Sequence, residues 1–376
     1  MSRSLACYIR GSTKDFYAWL DKPAAQIPRG PPVWICGDCH VGNFGPIAGP
    51  DGNIEIQIRD FDQATIGNPA YDVLRLGLSL SADALASDLS GVTTARMLKR
   101  LLAAYAAGLD RRRRKTRKKH NGSKTLRKVL RVAASRSWTE LANERIDGVD
   151  PTIPLGDRFW PISAEERDEI ERLCASEEMK SLVTCLRGRD DGAKLKLLDA
   201  AYWVKGCSSL GRLRYAVLLR VGRKSKQQEF CLIDIKEAVP SVAPTQRNAS
   251  GQPALRVVEA ARRLAPAIGE RMQPARFLRR PVFIRELRPQ DLKPEMPRLS
   301  RQEVVRLAEF LAAVLGRAHG EQMDGVARRS WKRKIMPKRN RKGDAAPWLW
   351  LNVVHLMAAH ERGYLEHCRR VEPKVR

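Results

Sequence analysis

ICGDCHVGNFG (residues 35–45) and, after a short hairpin, IQIRDFDQATIGNPAYDVLRL (residues 56–76) together set the reading of this 376-residue chain. They gather Asp38, Asn43, Asp60 and Asp62 into a short length of backbone. Ile54, Ile56 and Ile58 alternate as in a half-buried strand, and GPDG (residues 49–52) supplies the turn before them. A carboxylate followed five residues on by an amide, then Asp-Phe-Asp behind a strand, is what a site handling a metal-bound nucleotide requires. An acid must accept a hydroxyl proton, and an amide and a second carboxylate must hold Mg2+ against phosphates. Any one of these aspartates would pass as part of a polar turn; the set does not.

Outward from this stretch, YDVLRLGLSLSADAL and the segment around ARMLKRLLAAYAAGL read as helices. Residues 121–190 read as mainly helical, with a Pro-punctuated loop near 148–162. The character changes at residue 200: YWVKGCSSLGRLRYAVLLRV, a GRKSK turn and EFCLIDIKEA predict two or three strands. QPALRVVEAARRLAP is a helical segment and RRPVFIREL another strand. A helix over 301–319 carries a capping-box pattern at Ser300 and Glu303, with an apolar face of Val304, Leu307, Leu311, Val314 and Ala318. A last helix is expected over 347–367.

The formal net charge of +27 is concentrated in RRRRKTRKK (residues 111–119) and RRSWKRKIMPKRNRK (residues 328–342). Such blocks attract polyanions weakly and without sequence specificity, and no zinc-finger spacing or aromatic RNA-binding strand accompanies them. No run of 18 apolar residues is present to span a membrane, and MSRSLACYIRGSTKDF lacks the apolar centre of a signal peptide. A cytoplasmic protein is expected. Most of the eight cysteines lie in apolar strands or helices (Cys185, Cys207, Cys231), where a reduced thiol packs as a small hydrophobe. CGDCH (residues 36–40) matches a haem-attachment spacing, but haem attachment would need export, and no zinc-type second Cys/His pair occurs.

GCSSLG (residues 206–211), followed two strands later by Lys236 in LIDIKEA, supplies what the acidic motif lacks. A glycine-rich hairpin lets backbone approach phosphates, and a lysine on a neighbouring strand contacts them.

GDCHVGNFG…IRDFDQATIGNPAYDVLRL resembles the catalytic region of aminoglycoside phosphotransferases and choline-kinase-like enzymes, whose pattern is HGDxHxxN…IDFExAxxGxPxxDLA. With YIRG near the start, GxxSxG, KEA and RAH, the whole set resembles the bacterial "domain of unknown function 2252" family, over residues 5–80 and 200–320. In kinase-like chains the glycine-rich strands come first; here the acidic motif does. LGRAHGEQM, which ends helix 301–319, is similar to the helix that precedes HGD in those enzymes. The resemblance therefore implies an α+β, bilobal protein-kinase-like fold in circularly permuted order.

In that order, residues 1–110 hold the catalytic and metal-binding part of the large lobe and 111–190 its basic, helical insert. Residues 191–297 form the small nucleotide-binding lobe, and 298–376 the helix before the permutation point with a basic tail. The resemblance makes Asp38 the catalytic base, Asn43 and Asp60 metal ligands with Asp62 as helper, and Lys236 the ligand of the α- and β-phosphates. Gly206, Ser208, Ser209 and Gly211 belong to the covering loop, and Glu259 is the ion-pair partner of Lys236. His40 and Asp72 are structural supports, Asp72 bracing the loop from the following helix. Two departures stand out: Cys36 replaces the histidine of HGD, and Ser208 replaces the loop's middle glycine. The implied partners are ATP, Mg2+ and an acceptor that the sequence does not identify. Phosphoryl transfer is expected; AMP transfer and non-catalytic nucleotide or polyanion binding are the alternatives.

Overall fold

The structure is a computed structural model that describes residues 2, 4–22, 25–49, 54–110, 152–184, 193–204, 211–222, 229–245, 251–288, 301–336 and 347–371. The basic block 111–119, Ser300, and Gly206, Ser208 and Ser209 lie outside the described residues.

Two short helices, α1 (Leu5–Gly11) and α2 (Thr13–Leu20), lead into β1 (Val33–Ile35). A tight turn and a 3-10 turn (Val41–Asn43) then open the hairpin of β2 (Phe44–Ala48) and β3 (Ile54–Ile58), registered Phe44 to Ile58. The Asp-Phe-Asp loop returns the chain to β4 (Thr65–Gly67), which pairs antiparallel with β1. Next come α3 (Pro69–Ala86) and α4 (Gly91–Gly108). Helix α3 starts where Asn68 caps the Ala70 amide and Pro69 occupies the first turn, a position that needs no N–H.

The main sheet is antiparallel and six-stranded: β5 (Phe159–Trp160), β6 (Leu195–Trp203), β7 (Arg214–Val221), β8 (Glu229–Glu237), β10 (Arg280–Leu287) and β9 (Met272–Phe277), in that spatial order. The mixed α+β class and the strands at 195–237 and 280–287 agree with the sequence pattern. Strand β9 was not anticipated, because MQPARF is half polar and contains a proline. It lies at the sheet's edge, where Pro274 removes no bond from an interior ladder.

One face of this sheet, with Tyr215, Val217, Ile233, Ile235 and Ile284, is covered by α5 (Ala164–Cys174) and α6 (Glu177–Thr184) through Ile170, Leu173, Met179 and Leu182. The described part of the expected insert 111–190, residues 152–184, therefore packs on the sheet. Between β8 and β9 lie α7 (Pro253–Leu264) and α8 (Pro266–Gly269).

The C-terminal third adds α9 (Arg301–Gly320), α10 (Gly325–Ile335) and α11 (Pro347–Val371). Helix α9 buries Val304, Ala308, Leu311, Ala312 and Leu315, so the stripe is turned slightly from the expected one, leaving Leu307 and Val314 half-buried. The turn brings small residues against α4. A Cβ on Gly316 would lie 2.2 Å from the Tyr105 carbonyl oxygen, and one on Gly108 2.6 Å from that of Ala313. Glycine is what lets these two backbones approach so closely. These helices, α1–α4 and the two small β pairs share one large core, to which α7 also contributes Val257, Val258 and Ala261.

Candidate active site

The junction where β1 enters the acidic turn is fixed by backbone bonds to buried groups. Gly37 adopts φ +77°, and a Cβ there would fall 1.9 Å from the Gln63 carbonyl oxygen, so the turn from β1 admits only glycine. Asp72, fully buried on α3, accepts hydrogen bonds from the amides of Cys36 (2.7 Å) and Gly37 (3.0 Å). Its Oδ2 also lies 3.2 Å from His319 Nε2, at the end of α9. The other ring nitrogen of His319 meets the Tyr105 hydroxyl at 3.0 Å, and that hydroxyl accepts from the Trp331 indole of α10. Tyr17 of α2 donates to the Gly37 carbonyl. Buried side chains from five helices therefore converge on the two residues before Asp38.

Asp38 itself is held by Arg75, one turn beyond Asp72 on α3. Arg75 Nε donates to Asp38 Oδ1 at 2.8 Å, and its NH2 donates to the Ile9 carbonyl at 2.6 Å. The guanidinium is fully buried over the Phe16 ring, so its direction is fixed by packing. Asp38 Oδ2 lies 3.9 Å from His40 Nε2. Burial pushes the His40 imidazole down to about 4, which leaves it neutral near neutral pH. Burial likewise raises the Cys39 thiol well above its usual range, so this cysteine stays a protonated packing group.

The amide of Asn43 donates from Nδ2 to the Asp38 carbonyl at 2.7 Å, which leaves its oxygen as the end able to meet a cation. The Arg59 amide donates to the Asn43 carbonyl, bringing Asn43 beside the strand end that carries Asp60.

Across from this turn stands β8. Its Lys236 forms an ion pair with Asp62 Oδ2 and lies 3.9 Å from Asp60 Oδ2. Asp60 is open to solvent, with 47% of its side chain exposed, while Lys236 and Asp62 are mostly covered. Partial desolvation opposes ionisation of Asp60, but Lys236, the Asp62 amide, Arg214 and Arg285 outweigh it and hold the carboxyl well below the usual range. Asp62 moves the other way: burial and the neighbouring Asp60 charge raise it, with Lys236 opposing. Two carboxylates and one ammonium share the charge as a unit.

Lys236 pairs across the sheet with Arg214 of β7 and Phe283 of β10. Arg214 makes a bidentate pair with buried Asp234 (3.0 and 2.6 Å) and lies over the Trp203 ring at 4.5 Å. Arg285 approaches Asp234 at 3.6 Å and donates to the Arg59 carbonyl, joining the sheet to the acidic loop.

The chain matches, over residues 1–370, the profile of a family described as an uncharacterized protein conserved in bacteria, DUF2252. It belongs to the DUF2252 family. No curated protein and no solved structure matches it.

In this DUF2252 chain Asp38, Asn43, Asp60, Asp62, Asp72 and Lys236 are brought together from segments far apart in sequence. Glu259 is not: among the described residues no ion pair joins it to Lys236. It sits half-buried on α7, whose contribution to the site is Arg256, donating to the carbonyls of Asp62, Ala64 and Val239. The lysine is instead neutralised by the nearer aspartates, which a helix-borne glutamate would only crowd. Of the expected loop, Gly211 alone is described, with φ +73° and open space around it. Sequence reasoning missed Arg75, Arg214 and Arg285, and it quoted His319 within RAH without giving it a role. Arg75 carried a signal, being the one charge in the otherwise uncharged run VLRLGLSLSA (residues 73–82).

Among the described residues no group of three or more His, Cys, Asp or Glu is placed to hold a metal ion. A protein-only cage is thus absent from them. The exposed Asp60 carboxylate and the Asn43 amide oxygen are hard donors that fit Mg2+ when phosphates and water complete its shell.

Proposed function

We propose that this chain is an ATP- and Mg2+-dependent phosphotransferase with a kinase-like fold in circularly permuted order. The observation that carries the reading is the meeting of Lys236, from a central strand of the sheet, with Asp60 and Asp62, on the loop beside Asp38. A strand-borne lysine opposite an exposed carboxylate, with a second acid held rigidly next to it, is the arrangement that transfer of a terminal phosphoryl group needs.

Permutation is supported by the join between α9 and β1. Gln322, just past α9, accepts from the Trp34 amide at 2.7 Å and donates to the Trp34 carbonyl at 3.1 Å. Residue 322 thus lies beside the strand that enters the acidic turn, where an unpermuted kinase-like chain would run straight on. Two segments this close in space can be joined or separated with little change in packing, which is where a permutation is tolerated.

In the reaction, Asp38 takes the proton of an acceptor hydroxyl, whose oxygen bonds to the γ-phosphorus as the bridging bond to ADP breaks. Arg75 fixes the direction of Asp38 and so of the acceptor oxygen. Lys236 neutralises the α- and β-phosphates; its ion pair with Asp62 keeps the ammonium compensated until phosphate oxygens replace the carboxylate. Asp60 and Asn43 would hold Mg2+, which supplies charge neutralisation at the phosphates. A reaction fed by ATP belongs in the cytoplasm, in keeping with the cysteine usage.

The test is incubation of purified protein with γ-labelled and, separately, α-labelled ATP and fractionated bacterial extract. Label passing from the γ position alone supports phosphoryl transfer. Transfer from the α position would replace this reading with AMP transfer. A thermal melt insensitive to ATP, ADP and GTP, with or without Mg2+, would remove any nucleotide role.

A further inference from the structure

The first fourteen residues of α11, PWLWLNVVHLMAAH (residues 347–360), contain no Asp, Glu, Lys or Arg. Leu349, Val353 and Leu356 face the core, as the inner side of such a helix should. The outer side is largely apolar as well, with Trp350 36%, Leu351 51% and Val354 42% exposed and His355 as the polar residue among them. A surface helix in water ordinarily turns charged residues outward, so this face lacks the solvent its composition fits.

Beside it stands α10, joined to the start of α11 by the bond from the Trp348 indole to the Ile335 carbonyl. Helix α10 carries Arg328, Arg329, Lys332, Arg333 and Lys334 and no acid. Among the described residues no carboxylate lies in ion-pair range of these five: Arg328 and Lys334 donate to the Met323 and Arg29 carbonyls. Val326 and Met336, at the two ends of the same helix, are also exposed. In sequence the charge continues directly into PKRNRK (residues 337–342).

We infer that α10 and the first half of α11 form a docking surface for a bilayer rich in anionic phospholipid. The cations would meet phosphate headgroups while Trp350, Leu351 and Val354 enter the boundary between headgroups and acyl chains, where tryptophan is favoured. A nucleic acid would explain the cations but gives no partner to exposed leucine and valine. A second copy of the chain would bring together two surfaces of the same positive sign. No helix among the described residues is long and apolar enough to cross a membrane, so the contact proposed is peripheral.

The test is co-sedimentation of the full chain with vesicles of phosphatidylcholine alone or with about a third phosphatidylglycerol, at physiological salt. Binding is expected only to the anionic vesicles. It should fall about tenfold or more both in Trp350→Ser/Leu351→Ser/Val354→Ser and in Lys332→Glu/Arg333→Glu, because the two signals act together. Melting curves check that both variants fold, and quenching of wild-type tryptophan fluorescence by brominated lipid, lost in Trp350→Phe, reads insertion without a destabilising change. A folded triple variant that binds anionic vesicles as wild type does would overturn the proposal. So would retention of duplex RNA but not vesicles, or a dimer that the triple variant dissolves.

Discussion

Asp38 and Lys236 are held in opposite ways, and substitution should separate them. Asp38 keeps 17% of its side chain exposed and faces the site, with one oxygen tied to Arg75. In Asp38→Asn, ATP affinity should stay nearly unchanged while turnover falls on the order of 10²–10⁴-fold, the usual contribution of a positioned general base. ATP affinity, ATP consumption and melting temperature measured on the same protein check this; unimpaired turnover in a folded variant would remove Asp38 from that role. Lys236 is buried against Asp62, so Lys236→Ala leaves a covered carboxylate without its cation, a loss on the order of 3–5 kcal/mol for a buried pair broken on one side. Lys236→Met/Asp62→Asn should regain most of the melting temperature yet fail to regain stabilisation by ATP with Mg2+. Recovery of both together would mean that the lysine serves the fold alone.

At the scale of elements, the acidic turn is a joint between β1, the β2–β3 hairpin and α3. Its geometry rests on one residue with no side chain. Gly37→Ala would need both a left-handed backbone and room already filled by the Gln63 carbonyl. Denaturant unfolding should show a loss of roughly 2 kcal/mol or more, since strain and steric overlap add. Because the Asp72 bonds end on the amides of Cys36 and Gly37, the same change should lower turnover by more than its effect on stability explains. A variant as stable and active as wild type would show that the turn relaxes freely. Helix α9 hydrogen-bonds to this joint through His319 at its end, and Gln322 just past it bonds to β1.

Across the whole molecule, two buried histidines couple folding to pH. His40, near Asp38, Arg75, Arg10 and Asp60, and His360 on α11, near Arg75 and Asp15, are each pushed by burial to about 4. The unfolded chain binds these protons near pH 6.5, so stability is full above that value and falls as pH drops toward 4. At 1.36 kcal/mol for each pH unit, each histidine contributes about 3 kcal/mol at most. Chemical denaturation between pH 7 and 4 should show this slope, and His40→Gln should flatten about half of it; an unchanged slope would assign the loss to other groups.

The sequence alone determined the elements whose pattern is local. Alternation at Ile54, Ile56 and Ile58 marked β3, the apolar run after Asn68 marked α3, and the Asp-Asn-Asp spacing marked the candidate site, because each is a pattern carried by one continuous stretch of chain. Family membership was legible for the same reason, since it rests on short motifs in fixed order. What only the tertiary structure decided are the partners. Arg75 belongs to Asp38, Asp62 rather than Glu259 belongs to Lys236, and residues 152–184 belong to the sheet. Those choices follow from which desolvated charge lies nearest to which, and from which apolar face is left uncovered. Both are fixed by packing between segments far apart in the chain, where neither periodicity nor spacing carries information.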